Sequence, residues 1–166
     1  MAFGVALLAA SPGLGQDACE RFRWDVTHEH ALFLGAAVPL AAGRQEDAAP
    51  EVQLDRLYEL VLSPAGEVAF AVPPSQKNPA QNAFAGMMRF HVPRAGRYRV
   101  SLGGRTWVDV SAQRKLLSPA DFGGAEGCNA PHKVVVYDFP EDGDVTLELS
   151  GASDRQIRMT LTAVVP

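Results

Sequence analysis

The sequence lacks any run of about twenty consecutive apolar residues, the length that a membrane-spanning helix requires. A much shorter apolar run, residues 3–10, precedes Ser11-Pro12 and is followed by small residues where a signal peptidase would cleave before Gln16. These features predict a secretory signal peptide at residues 1–15. They also predict that the chain has no membrane span.

Cysteine is scarce, since the chain has only two, Cys19 and Cys128. They do not form the Cys-x-x-Cys pattern of a redox pair, and a zinc site would need more ligands near them. In an exported protein, an even number of cysteines normally forms disulfides. We therefore predict a Cys19–Cys128 disulfide that joins residues 109 positions apart, and a periplasmic or secreted location.

The chain has little excess charge, because 20% of its residues are charged and the formal net charge is −4. This negative balance argues against a nucleic-acid partner. Three arginines, Arg97, Arg99 and Arg105, nevertheless cluster near Trp107, and we take these four residues as a candidate binding surface. The alternatives are a solvated strand face for the arginines and a core position for Trp107. An exposed Trp107 would suit a sugar, among ligands that include proteins and envelope components.

No amphipathic pattern of three helical turns or more occurs in the chain. From residue 52 onward, apolar and polar residues alternate in short segments that are separated by Gly, Pro and Asp turns. This pattern predicts an all-β fold, an antiparallel and jelly-roll-like β-sandwich formed by a single domain, residues 16–166. At most one short N-terminal helix is expected, within 27–34. Strand order is not encoded in the alternation, so a closed barrel is an alternative.

The most regular alternation lies in residues 95–110. Residues 98–102 alternate between apolar and polar, Gly103-Gly104 follows, and residues 106–110 resume an apolar pattern. Two adjacent glycines between such segments predict a β-hairpin whose two-residue turn uses positive φ angles.

Weaker patterns predict further strands at residues 22–26 and 68–72. Residues 75–83 are polar and without period, which is typical of a loop. Residues 111–131 form a long connection that contains Cys128, and the predicted disulfide would fix it in place.

Together, the motifs Gly-Arg-Tyr-Arg-Val-Ser-Leu, Thr-Trp-Val-Asp-Val, a cysteine-containing loop and Val-Thr-Leu-Glu-Leu-Ser-Gly support a resemblance. The last 110 or so residues are loosely similar to the bacterial pre-peptidase C-terminal domain, a small β-sandwich attached to secreted enzymes. Residues 17–162 resemble more closely a group of short exported proteobacterial proteins of unknown role. Some members of that group carry the transferred name homogentisate 1,2-dioxygenase.

The transferred name implies a ring-cleaving enzyme that holds Fe(II) with two histidines and a carboxylate. The chain has four histidines that could serve, His28, His30, His91 and His132. On a strand, His28 and His30 would point to the same face, whereas in a helix residues two apart diverge by about 200°. Thr27 and Gly35 resemble the start and stop of a helix, so we expect surface or capping roles for these two histidines.

The other two histidines have different environments. His91 alternates with apolar neighbours and is expected to face outward, and His132 is expected in the loop beside Cys128. The chain has neither a Gly-x-Ser-x-Gly nucleophile elbow nor a phosphate-binding glycine loop. The sequence therefore favours an exported, non-catalytic binding or accessory module without a cofactor, and an Fe(II) dioxygenase is the alternative.

Overall fold

The computed structural model describes residues 19–164, so the predicted signal peptide at residues 1–15 lies outside the described residues. Two stacked sheets and a short helix, α1 (Thr27–Phe33), form the fold. The strands are β1 (Val38–Ala41), β2 (Glu51–Val52), β3 (Tyr58–Val61), β4 (Ser63–Pro64), β5 (Phe84–Val92), β6 (Gly96–Leu102), β7 (Trp107–Ala112), β8 (Lys115–Leu117), β9 (Asp121–Gly124), β10 (Lys133–Phe139), β11 (Gly143–Ala152) and β12 (Gln156–Ala163).

The first sheet has the strand order β1-β3-β12-β6-β10-β9, and the second has the order β2-β5-β11-β7-β8. Strand β4 also pairs with β5. The all-β sandwich prediction is confirmed. Most pairs are antiparallel, but β1 runs parallel to β3 and β2 runs parallel to β5, so both sheets are mixed.

The core lies between the two sheets and contains the apolar positions of the alternating strands. Leu60, Leu102, Val110, Leu147 and Met159 are completely buried there. Tyr98 is also buried, as its alternation predicts, and its hydroxyl donates to the carbonyl oxygen of Arg94 at 2.9 Å. The period-two pattern therefore identified the inward face of each main strand correctly.

The predicted central hairpin is wrong. Strand β6 pairs with β10 and β12 in the first sheet, whereas β7 pairs with β8 and β11 in the second. Residues 103–106 therefore cross from one sheet to the other. Neither Gly103 nor Gly104 has a positive φ angle. Gly103 instead permits close packing, because a Cβ atom there would lie 3.1 Å from Cε1 of Phe33.

Two weaker strand predictions are also wrong. Residues 22–24 form bends and residues 25–26 are irregular before α1 begins, and residues 68–72 form no strand. Both segments cross the outer face of a sheet instead of joining its edge. The predicted loop at 75–83 is confirmed, while the predicted long loop 111–131 contains two short strands, β8 and β9.

The N-terminal segment, residues 19–33, covers the outer face of the first sheet. The predicted disulfide between Cys19 and Cys128 is present and ties this segment to a loop 109 residues later. Helix α1 presents Glu29 and Phe33, one turn apart, to the sheet, and both side chains are buried. This packing adds a partial third layer to the sandwich.

A second irregular segment, residues 69–76, crosses the outer face of the second sheet, and we call it the strap. The backbone N–H of Ala69 donates to the carbonyl oxygen of Arg44 at 2.8 Å. Farther along, Ser75 bonds to Asp109 of β7, and Gln76 accepts from the hydroxyl of Ser150 in β11 at 3.3 Å. The strap therefore buries polar residues that would otherwise face solvent. Within residues 19–164, no helix is long and apolar enough to cross a bilayer.

Candidate functional site

Two large apolar side chains are exposed near the crossing between the sheets. Trp107, the first residue of β7, is 40% exposed, and Phe122 of β9 is 65% exposed. Lys133 of β10 lies beside both, because its ammonium is 5.1 Å from the centroid of the Trp107 ring and it lines a pocket with Phe122. We call Arg105, Trp107, Phe122 and Lys133 the aromatic-basic surface.

The pocket within this surface is shallow and has a volume of about 330 Å³. Gly123, Gly124 and Ala125 line it, and because the two glycines have no side chain and the alanine only a methyl group, they leave room beside the Phe122 ring. Arg105 and Glu126 stand at its rim, and their side chains approach to 3.5 Å while both stay largely exposed. An exposed pair of this kind contributes little stability, so both groups can exchange partners.

Lys133 is the least solvated charge of the surface. Burial lowers the pKa of its ammonium, and Asp109 counteracts part of this effect. Its Nζ atom donates to the carbonyl oxygen of Thr106 at 3.4 Å. Among residues 19–164, no carboxylate oxygen lies within 4.0 Å of this nitrogen. The ammonium therefore keeps hydrogen-bonding capacity for another acceptor.

The indole of Trp107 is held in place by the strap. Its Nε1 atom donates to Oγ of Ser75 at 2.9 Å and to Oδ1 of Asp109 at 3.2 Å. Ser75 in turn donates to both carboxylate oxygens of Asp109, through its hydroxyl at 2.6 Å and its backbone N–H at 2.9 Å. These four hydrogen bonds fix the ring orientation while one part of the ring stays exposed.

A second carboxylate, Glu148 of β11, lies directly opposite Asp109 in the sheet register. Its side chain is buried, and Oε1 accepts a hydrogen bond from the Ser111 hydroxyl at 3.2 Å. The pKa of Glu148 is raised to about 7, mainly by burial, and the negative charges of Asp109 and Glu46 act in the same direction. The Ser111 hydroxyl and the backbone N–H of Val72 act in the opposite direction.

The four predicted surface residues do not form one site. Arg97 forms a two-bond ion pair with Asp138 on the exposed face of the first sheet, and this pair lowers the pKa of Asp138. Arg99 is partly buried under the N-terminal segment, where it donates to Glu29 at 3.1 Å. Arg105 and Trp107 lie near the sheet crossing, and only these two belong to the aromatic-basic surface.

The four histidines are each engaged by a different partner. In α1, His28 Nε2 lies 2.7 Å from a carboxylate oxygen of Asp55, and His30 Nδ1 lies 2.6 Å from the carbonyl oxygen of Ala130. His28 is exposed, as a surface role requires, whereas His30 is partly buried against the loop and neither histidine caps the helix.

The remaining two histidines lie on other parts of the sandwich. His91 faces outward from the second sheet beside Asp144, at 2.7 Å, which confirms its predicted direction. His132 Nδ1 lies 3.1 Å from the carbonyl oxygen of Cys128, within the predicted loop. In the part of the chain from 19 to 164, no group of three or more His, Cys, Asp or Glu side chains is placed to hold a metal ion.

Sequence reasoning missed Phe122, Lys133, Asp109 and Glu148. Glu148 alternates with Leu147 and Leu149, and this alternation correctly places it on the outer face of its strand. Its burial depends on the strap, which lies more than 70 residues earlier and has no period that predicts its path. Phe122 lies in a Gly-rich connection, where alternation gives no signal.

The chain matches no known family model, and searches of curated proteins and of solved structures found no significant match.

Proposed function

We propose that this chain is a non-catalytic binding module that recognises a glycan through the aromatic-basic surface. The observation that carries the proposal is the pair of exposed aromatic rings, Trp107 and Phe122, placed around a partly buried Lys133. Exposed apolar patches rimmed by polar residues mark interaction sites on folded domains.

Aromatic rings suit sugars because the faces of a pyranose carry C–H groups that pack on a flat apolar surface, while its hydroxyls bond at the ring edges. Trp107 is suited to this role because its hydrogen bonds to Ser75 and Asp109 hold the ring before any ligand arrives. A preorganised ring loses less conformational entropy on binding than a mobile one.

The charges of the surface favour a glycan that carries carboxylates. Lys133 has no carboxylate partner among residues 19–164 and is partly desolvated, which strengthens its interaction with an anion. Arg105 is exposed at the rim, where it can leave Glu126 for a ligand carboxylate. An acidic sugar can therefore stack on an aromatic ring and pair with a cation at the same surface.

We also propose that the module works outside the cytoplasm. Disulfides persist in the periplasm and in secreted proteins, where the environment is oxidising. The Cys19–Cys128 bridge agrees with such a location. Protein taken from a periplasmic or secreted fraction should have a non-reduced mass that is two hydrogen atoms below the reduced mass. Two freely alkylatable thiols in that fraction would contradict the bridge, and absence of the protein from both fractions would contradict the proposed location.

Binding to polygalacturonate and to neutral dextran, measured by isothermal titration calorimetry, tests the ligand class. We expect binding to polygalacturonate that weakens at least tenfold in Trp107→Ala and in Phe122→Ala, since such anchors commonly contribute more than about 1.4 kcal/mol each. Lys133→Met should remove the preference for the acidic glycan. Leu34→Ala, at an exposed apolar residue on α1's end, and Arg97→Ala should bind like the parent.

Two results would overturn the proposal. One is that neither polygalacturonate nor dextran binds. The other is that Trp107→Ala and Phe122→Ala bind like the parent, or lose no more affinity than Leu34→Ala. In the first case the chain is not a module for these glycans, and in the second it binds them through another surface.

A further inference from the structure

We propose that Glu148 makes the aromatic-basic surface respond to pH: in its neutral form the strap stays closed over Asp109 and holds Trp107, and in its ionised form the strap opens. This inference concerns the regulation of the surface, and its functional meaning depends on the proposed function. The conformational change itself depends only on the chain and can be measured without a ligand.

The geometry places two carboxyl groups side by side under a thin cover. Asp109 and Glu148 are directly opposite each other on β7 and β11, and both side chains point to the outer face of the second sheet. Asp109 is 7% exposed and Glu148 is 0% exposed. Because their strands are fixed by a continuous register, the two groups cannot move apart without a change in the strap or the sheet.

The two carboxyl groups differ in how well they are paired. Both oxygens of Asp109 accept hydrogen bonds from Ser75, and one also accepts from Trp107, so Asp109 is stabilised as an anion. Oε1 of Glu148 accepts from the Ser111 hydroxyl at 3.2 Å, and the backbone N–H of Val72 in the strap gives its carboxylate further, partial support. Oε2 of Glu148 is buried and has no partner among residues 19–164. A buried and poorly paired carboxyl group favours its neutral form.

No cation close to Glu148 offsets a second negative charge. The charged groups that face it are Asp109 from β7 and Glu46 from the short turn at 46–48, and both are acidic. Two arginines of this region have other partners: Arg89 of β5 donates to the carbonyl oxygen of Ala49, and Arg114 lies 3.8 Å from Glu46 and donates to the carbonyl oxygen of Ala71 in the strap at 3.5 Å. Ionisation of Glu148 therefore places like charges together in a site with little water.

This environment moves the titration of Glu148 into the physiological pH range. Burial, together with Asp109, raises the pKa of Glu148 from an ordinary value of 4.5 to about 7. Below that pH the neutral carboxyl group fits the closed site. Above that pH, the ionised carboxylate of Glu148 is destabilised in the closed site because it lacks water. An open arrangement hydrates the carboxylate and therefore gains population.

The strap is the element that can yield. Residues 69–76 belong to no strand and contain Pro73 and Pro74, which have no N–H to donate. Their attachment to the second sheet consists of side-chain and isolated backbone hydrogen bonds, in contrast to the continuous ladders of β5, β7 and β11. Opening would remove the Ser75 hydroxyl from Trp107 Nε1 and free the indole ring.

Hydrogen exchange of the unmodified protein, followed by mass spectrometry without ligand, tests the proposal directly. After correction for intrinsic exchange rates, we expect protection of residues 69–76 to fall about tenfold between pH 6 and pH 8. Two-state linkage gives this change when the pKa of Glu148 is 4.5 in the open form and about 7 in the closed form. Glu148→Gln, which stays neutral, should keep the protection constant. Glu141→Gln, the same substitution at an exposed residue, should behave like the parent.

Tryptophan fluorescence provides a second measurement. In Trp24→Phe the emission comes from Trp107 alone, since the chain has two tryptophans. We expect a pH transition with a midpoint near 7 that disappears when Glu148→Gln is added. Strap protection that does not change with pH, or that changes equally in Glu148→Gln, would overturn the inference.

Glycan binding distinguishes the two proposals. A pH-dependent strap in a protein that binds no glycan would overturn the proposed function and leave this inference intact. Polygalacturonate binding with equal affinity at pH 6 and pH 8, together with constant strap protection, would support the proposed function and overturn this inference. Affinity that falls with pH in the parent and in Glu141→Gln, but not in Glu148→Gln, supports both.

Discussion

The pair formed by Glu29 and Arg99 should decide whether the N-terminal segment stays on the first sheet. Glu29 is 2% exposed, although it lies in the short helix α1, and its Oε1 atom accepts from Arg99 at 3.1 Å and from the Thr162 hydroxyl at 2.7 Å. Arg99 also donates to the carbonyl oxygen of Asp25 at 2.8 Å. One carboxylate thus joins the helix to two neighbouring strands, β6 and β12.

Removal of the carboxylate leaves a largely buried guanidinium without its counter-charge. Breaking a buried ion pair from one side typically costs about 3–5 kcal/mol, and we expect this loss of unfolding free energy for Glu29→Ala. Glu29→Gln retains a neutral acceptor in the same place. Because hydrogen bonds to charged groups are about 1 kcal/mol stronger than neutral ones, and two bonds are affected, we expect a loss of about 2 kcal/mol.

Urea denaturation followed by far-ultraviolet circular dichroism measures both losses. Glu141→Ala, an exposed control, should change the unfolding free energy by less than about 0.5 kcal/mol. A double-mutant cycle with Glu29→Met and Arg99→Met isolates the pair, and the double variant should be more stable than the sum of the single losses predicts. A loss below about 1 kcal/mol for Glu29→Ala would refute the reasoning, because it would mean that the carboxylate does not hold the segment.

Further predictions concern the disulfide, the core, the buried carboxyl group and metal content. Cys19→Ser with Cys128→Ser should lose about 4–5 kcal/mol of unfolding free energy, from closure of a loop of 109 residues, and an unchanged denaturation midpoint would contradict this. Leu147→Ala, at a fully buried core residue, should lose about 2–5 kcal/mol. The raised pKa of Glu148 stabilises the fold below pH 4.5, and this stabilisation is lost as the pH rises through about 7, so Glu148→Gln should flatten the pH profile by up to about 3 kcal/mol in urea titrations. Purified protein should contain no stoichiometric iron by elemental analysis, and one iron per chain bound by histidine would instead support the dioxygenase alternative.

The sequence predicted the local properties of the chain well. Alternation places Tyr98 and Leu147 in the core and His91 outside, because each strand turns successive side chains to opposite faces whatever its neighbours are. The disulfide was predictable because two cysteines leave one possible pairing and the predicted export signal implies an oxidising compartment. The predicted helix ends at Thr27 and Gly35 agree with the ends of α1 to within two residues.

The aromatic-basic surface could be predicted only in part. Trp107 and Arg105 were identified because aromatic and cationic residues adjacent to a turn are conspicuous in the sequence. Phe122 and Lys133 were not, since β9 and β10 reach Trp107 only after the chain crosses from the second sheet back to the first. Arg97 and Arg99 are close in sequence to Arg105, but they lie in β6, before the chain crosses between the sheets. Their side chains are therefore on the outer face of the first sheet.

Alternation by itself determined which face of each strand is apolar, and the number of cysteines determined the covalent link. Tertiary structure decided which strands are neighbours and what covers the outer faces. The glycines at 103–104 fit a hairpin turn and a sheet crossing equally well in sequence, and only the partners of β6 and β7, which lie in different sheets, decide between them. Glu29 and Glu148 have the sequence pattern of solvated residues, but Glu29 is buried because its helix packs on the first sheet, and Glu148 because the strap folds over it. A two-residue period is a property of one strand, whereas burial of its polar face depends on contacts between segments far apart in the chain.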